Sequence, residues 1–250
     1  MSTKIPKRLR QEPLIEAIWQ VQFDPPGGQS IGEILPGVLF STLRFEQAGL
    51  KLVRLPAAEI PPFVAQNDPN LRFAARFRIE APDWPFLVQT GDRVVTVNCR
   101  APYVGWEKFK ERVISLINIL DDTGLIANPQ RHSLRYIDLM TLEPPPTVGS
   151  LQLALQIGDH AIEKHPLQLR VEVPDEQCTH VLQFVTPAQV RLPEGERAGT
   201  LIDLETVANT TGGNWSTIRE SLEALHGASK AIFFEKVLTK EAIEKMEPEY

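Results

Sequence analysis

Cysteine is scarce in this sequence: 250 residues contain two, Cys99 and Cys178. A disulfide framework or a four-cysteine zinc site needs more than that. The scarcity suits a reducing compartment and points to the cytoplasm. Long apolar runs are also lacking. None approaches the ~18 residues of a membrane span, and the basic start MSTKIPKRLRQEPLIEAIW has no signal-peptide core. Positive charge is in deficit, with 26 Lys and Arg against 32 Asp and Glu, for a net charge of −6. An acidic chain does not carry the basic footprint of general nucleic-acid binding. The nucleotide-binding patterns G-x-x-x-x-G-K-[ST] and G-x-G-x-x-G are both missing, and nothing calls for a cofactor. What remains is ordinary globular composition, 42% hydrophobic and 23% charged, which excludes collagen, coiled coil and disordered tail.

The strongest positive signal is alternation. Ile15, Ala17, Trp19, Val21 and Phe23 are apolar at every second position, the pattern of a strand with one buried face. Leu71–Ile79, Leu167–Val173 and Ile202–Ala208 repeat the pattern, and 50–55, 86–90, 93–99 and 179–185 are shorter candidates. Thr90-Gly91-Asp92 makes 86–99 a hairpin. Residues 133–142 are apolar on both faces, which predicts a central strand. Two segments switch to helical spacing. Trp106, Phe109, Val113, Leu116, Ile117 and Leu120 form one stripe, ended by Gly124. Trp215, Ile218, Leu222, Leu225, Ile232 and Phe233 form the other, with Asn214 as N-cap. A third helix falls within 31–48, and a short one follows Thr239. The fold class is α+β, mainly antiparallel sheet covering two long amphipathic helices.

WEKFKERVISL (106–116) and WSTIRESLEAL (215–225) align without a gap, and QFDPP (22–26) resembles TLEPP (141–145). These matches predict a duplication with Trp106 and Trp215 at equivalent buried places. The organisation is then a basic tail over 1–11, a first sheet-plus-helix half over 12–128 and a second over 129–250. The alternative is one compact α+β unit without symmetry.

Several short segments, read together, resemble a known family. They are Pro13-Leu14-Ile15-Glu16-Ala17-Ile18 with Val21 and Phe23, Trp106 with Phe109, Leu134-Arg135-Tyr136-Ile137-Asp138, and Leu225-His226 followed by Phe233 and Leu238-Thr239. The family is one of sporadically distributed, uncharacterised prokaryotic proteins of about this length. The resemblance runs over nearly the whole chain and implies a stand-alone protein. It brings no catalytic residues with it.

Three constellations invite a chemical reading. Gly28-Gln29-Ser30-Ile31-Gly32 matches the G-x-S-x-G nucleophile elbow, and Asp203 and His226 complete the order Ser, Asp, His. Pro25-Pro26, the single preceding strand and the antiparallel pattern oppose that serine hydrolase, and Ser30 with Glu33 reads more simply as a capping box. His160, Glu163 and His165 are close enough for a metal, but H-x-x-E-x-H is not an established ligand spacing, so no metal is assigned. Arg72, Arg76 and Arg78 form a basic row that Arg135 extends. Such a row binds an acidic partner unless cross-strand carboxylates neutralise it. Trp84, held stiff between Pro82 and Pro85, adds an aromatic anchor. The leading expectation is a non-catalytic binding or regulatory protein that uses Arg72, Arg76, Arg78, Trp84 and Arg135 on a protein partner. A small-molecule cavity between sheet and helix is the alternative, and a homo-oligomer is left open.

Overall fold

A computed structural model describes residues 5–25, 31–69, 71–193, 195–209 and 213–250. In chain order the strands are β1 (Arg8–Leu9), β2 (Leu14–Phe23), β3 (Lys51–Arg54), β4 (Phe77–Glu80), β5 (Phe86–Thr90), β6 (Val94–Arg100), β7 (Pro129–Met140), β8 (Gln156–Ile157), β9 (His160–Ala161), β10 (Leu167–Pro174), β11 (Cys178–Leu192), β12 (Gly195–Ala208) and β13 (Pro248–Glu249). The helices are α1 (Leu35–Leu43), α2 (Pro62–Asn67), α3 (Trp106–Thr123), α4 (Trp215–Ile232) and α5 (Lys240–Lys245). The fold is α+β, and nine strands make one antiparallel sheet in the order β10-β11-β12-β7-β2-β6-β5-β4-β3. No described helix is long and apolar enough to cross a membrane.

The chain divides into two compact units. One comprises Glu16–Leu134 and Ala208–Leu222; the other comprises Met1–Ile15, Arg135–Val207 and Glu223–Tyr250. In the first, the alternation of β2 sets the sheet register. Ala17, Trp19 and Val21 pair with Cys99, Val97 and Val95 of β6, which pair in turn with Phe86, Val88 and Thr90 of β5. Trp19, Val21, Val95 and Val97 are all fully buried. β6 is buried on its other face too, where Thr96 donates to Asn98 and Asn98 donates to Glu16. The apolar stripe of α3, Phe109, Val113, Leu116, Ile117 and Leu120, is buried as its spacing requires. Gly124 ends that helix with φ +63°, the left-handed conformation that favours glycine there. Asp121, in the last turn of α3, accepts from Arg219 at 2.7 Å, which offsets its unfavourable place at the helix's negative end.

The second unit holds a core of Leu9, Met140, Val148, Leu151, Leu182, Phe184, Ile202, Leu204 and the buried residues of 232–246. Thr239 caps α5 by accepting the Ala242 N–H. Leu139 donates its N–H to Pro13, tying β7 to the residue before β2.

Two expectations need correction. The alternation over Leu71–Ile79 is a strand only from Phe77 to Glu80. Leu71 and Arg72 instead donate to the Asp68 carbonyl in a turn after α2, and the Arg72 guanidinium lies over the Phe73 ring. Hydrophobic alternation in a tight turn is indistinguishable from that in a strand, because neither uses the helical period. The two tryptophans also differ. Trp215 is buried and donates its indole N–H to the Ile126 carbonyl, whereas Trp106 is half-buried beside Phe109 with the Lys110 ammonium near its ring.

Trp215→Ala is therefore expected to lower unfolding free energy by roughly 3–5 kcal/mol, the usual cost of deleting a buried aromatic. Trp106→Ala is expected to cost less than half as much. Urea denaturation of both variants checks the difference, and equal losses would contradict it.

Candidate functional site

Polar side chains concentrate beneath the C-terminal half of α4, on the face of β7, β11 and β12 that it covers. The stripe of α4 brings Leu225, His226, Ser229, Ile232 and Phe233 to that face at helical spacing. Leu225, Ile232 and Phe233 supply apolar packing. His226 and Ser229 meet polar strand residues instead. His226 Nδ1 lies 2.9 Å from the Tyr136 hydroxyl. Ser229 donates to the Leu225 carbonyl at 2.8 Å, and its Oγ lies 2.8 Å from Thr206 Oγ1. Thr206 Oγ1 is in turn 2.9 Å from His180 Nδ1. Ser229, Thr206 and His180 Nδ1 thus form one hydrogen-bonded row. The other ring nitrogen of His180, Nε2, faces Cys178 Sγ at 3.6 Å.

Asp138 belongs to the same strand and is 4% exposed. No described hydrogen bond reaches its carboxyl. Burial pushes it up to about 8, and the carboxylates of Glu12 and Asp203 push the same way. Asp138 is accordingly a neutral acid at pH 7. Asp203 is held in a bidentate pair with Arg135. In the other unit, buried His132 meets Ser221 through Nε2 at 2.9 Å, and burial lowers this imidazole to about 4.

Each residue singled out from the sequence now has a place. Arg76 is not a surface cation: it is 5% exposed, paired with buried Asp92 at 3.0 Å and with Glu33 at 2.8 Å. Gly32 is part of this arrangement, since a Cβ there would collide with the Asp92 carboxylate. Arg72 donates to Asp24, which also accepts from Arg93 and Gln130. Arg78 pairs with Glu80 at 2.8 Å, and Arg135 pairs with Asp203. The arginines are neutralised within their units, but cross-strand pairing accounts for Arg135 alone; Arg78 pairs along its own strand, and Arg72 and Arg76 pair with carboxylates outside the strands. Trp84 is half-buried, with the Arg112 guanidinium 5.0 Å over its ring and Phe86 edge-on at 6.0 Å. Its ring face is thus occupied from within the unit.

Of the hydrolase set, Ser30 lies outside the described residues, as do Gly28 and Gln29. Asp203 is engaged by Arg135 and His226 by Tyr136, rather than in the carboxylate–imidazole relay that a triad needs. His160 and His165 do approach each other, with Nε2 atoms 3.3 Å apart, but both are exposed. Sequence reasoning passed over Asp175-x-x-Cys178-x-His180, whose donor atoms lie within 4.8 Å of one another. The signal that could have found them is that D-x-x-C-x-H spacing across a turn between two strands. No family model matches the chain, and no curated protein matches it significantly.

The two buried titrating groups oppose each other between pH 4 and 6.5, where one loses what the other gains, so their joint effect is a loss of stability as pH rises from about 6.5 to 8. Asp138 is raised from 3.8 to about 8, so its contribution is full below 3.8 and is lost as pH rises through 8. His132 is lowered from 6.5 to about 4, so its contribution is full above 6.5 and is lost as pH falls through 4. Asp138→Asn is expected to raise the melting temperature at pH 8.5 and to leave it nearly unchanged at pH 4. Each kcal/mol recovered is worth about 2–4 °C in a chain of this size. Calorimetry across that range checks it, and an equal shift at both pH values would contradict the assignment.

Proposed function

We propose that this is a non-catalytic binding protein acting through a protein partner, with the contact surface carried by the stretch from Ile34 to Val64. The observation behind this is where large apolar side chains meet solvent. Ile34, Phe45, Leu52, Phe63 and Val64 are all exposed, Phe45 at 80% and Phe63 at 70%. The others among the described residues, Ile157, Val171 and Tyr250, are far apart in the chain. Single surface hydrophobics are ordinary, whereas several in one stretch, two of them phenylalanines, mark an interaction surface. The same stretch contains β3, the last strand of the sheet order, which pairs with β4 alone. An edge strand offers main-chain donors and acceptors to an extended partner segment. This footprint replaces the one expected from the sequence, because Arg72, Arg76, Arg78 and Arg135 already have acidic partners within their own units.

We propose further that the chain is an internal duplicate. The strand order supports it: β2 lies beside β6 with β5 and β4 beyond, and β7 lies beside β12 with β11 and β10 beyond. Each run is an opening strand, an antiparallel meander and an 18-residue helix beginning at a tryptophan. The residues that carry the family resemblance are engaged in the fold: Glu16 accepts from Asn98, Arg135 pairs with Asp203, Tyr136 meets His226, and Thr239 caps a helix. Cys99 and Cys178 are both buried and outside any disulfide, in keeping with a cytoplasmic protein.

A photoreactive phenylalanine analogue at position 63 or 45, introduced in the native host, tests the partner reading. The expected product is one discrete protein adduct, identified by mass spectrometry and diminished when Leu52→Asp is added. Position 171 serves as the control. Absence of an adduct at 45 and 63, or equal adducts at 171, would overturn the reading.

A further inference from the structure

We propose that Asp175, Cys178 and His180 form a binding site for a divalent transition-metal ion, with Zn²⁺ the ion that fits the donors best. All three lie at the turn from β10 into β11, where Asp175 donates its N–H to the Cys178 carbonyl at 2.8 Å. That turn brings a thiol, an imidazole and a carboxylate to one place, with every pair of donor atoms within 4.8 Å. Sulfur, nitrogen and oxygen together are a borderline-soft set that selects zinc over magnesium or calcium.

The spacing agrees with one ion bound by all three. Zn–S and Zn–N bonds at a tetrahedral angle place the two donor atoms ~3.5 Å apart. Cys178 Sγ and His180 Nε2 are 3.6 Å apart. His180 Nε2 and Asp175 Oδ2 are 4.0 Å apart, and the Asp175 side chain is 58% exposed. Asp175 Oδ1 accepts the Glu176 N–H at 2.7 Å, which orients the carboxylate with Oδ2 toward the imidazole.

The shell behind the donors supports the assignment. A metal-binding histidine ordinarily donates its other ring N–H to a fixed acceptor. His180 Nδ1 is held by Thr206, itself held by Ser229, so Nε2 is the ring nitrogen that faces Cys178. Cys178 and His180 are 2% and 3% exposed, and the Asp175 side opens to solvent. Zn²⁺ binding breaks the Cys178 S–H bond, forms an S–Zn bond and releases the proton to solvent. Three protein donors leave the fourth tetrahedral position for a solvent or ligand atom. The other histidine pair, His160 and His165, joins no such cluster of three among the described residues, and it provides an internal control.

The full chain, dialysed against Zn²⁺ alone and then passed through a desalting column, is expected to retain one equivalent. Titration with Co²⁺ is expected to produce the near-ultraviolet thiolate-to-cobalt absorption band. The band should vanish in Cys178→Ser and persist in Cys99→Ser. Affinity should fall at least tenfold in Asp175→Asn, whose exposed side chain can change without loss of the fold, and should be unchanged in His160→Gln. Failure to retain Zn²⁺ overturns the proposal. So does Co²⁺ binding without the thiolate band, or binding that survives Cys178→Ser and is lost in His160→Gln. The wild-type band reads thiolate ligation directly, so the test does not depend on whether Cys178→Ser folds.

Discussion

The constraint that governs this structure is the desolvation of polar groups on strands buried on both faces. β6 is buried along nearly its whole length, and β7 carries buried residues of both parities. A strand in that position has no wet face to receive a polar side chain. Each such group must find a partner or remain neutral, because burying an unpaired one costs a few kcal/mol. The consequences recur in both units. Thr96, Asn98 and Glu16 form one bonded row, Arg76 meets Asp92, and His180, Thr206 and Ser229 form another row. Asp138 shows the remaining solution: without a donor it keeps its proton.

This constraint also redistributes function. Arginines that look available in an alternating sequence become structural once their strand is covered. Arg76 is the clearest case: a buried guanidinium requires the buried Asp92 carboxylate, and removing either leaves the other uncompensated. Surface for recognition is then left to segments outside the doubly covered strands. The stretch from Ile34 to Val64 is such a segment, built of short helices, turns and the edge strand β3. There, apolar side chains reach solvent without exposing polar core.

Buried polar rows also create chemistry. The same hydroxyl chain that holds His180 Nδ1 fixes which of its ring nitrogens faces Cys178. An imidazole so oriented beside a thiol and a carboxylate is the arrangement that a metal ion uses. The Asp138 carboxyl, by contrast, has the carboxylates of Glu12 and Asp203 as electrostatic neighbours, and its effect is on stability against pH.

Periodicity was enough to find the elements whose signal is local. β2, the hairpin of β5 and β6, the centrality of β7, the end of α3 at Gly124 and the caps at Asn214 and Thr239 all follow from side-chain spacing and backbone preference within a few residues. Leu71–Phe73 departed from its pattern because turn and strand share a lack of helical period. The site residues were legible as residue types and not as neighbours. Arg135 meets Asp203 across adjacent strands, Tyr136 meets His226 across a sheet–helix contact, and Asp121 meets Arg219 between helices. Partners so far apart in the chain are chosen by strand order and register, which no local window contains. Sequence alone determined which side chains prefer burial. The tertiary structure decided which polar groups were buried with them, and the cost of leaving such groups unpaired decided what each one touches.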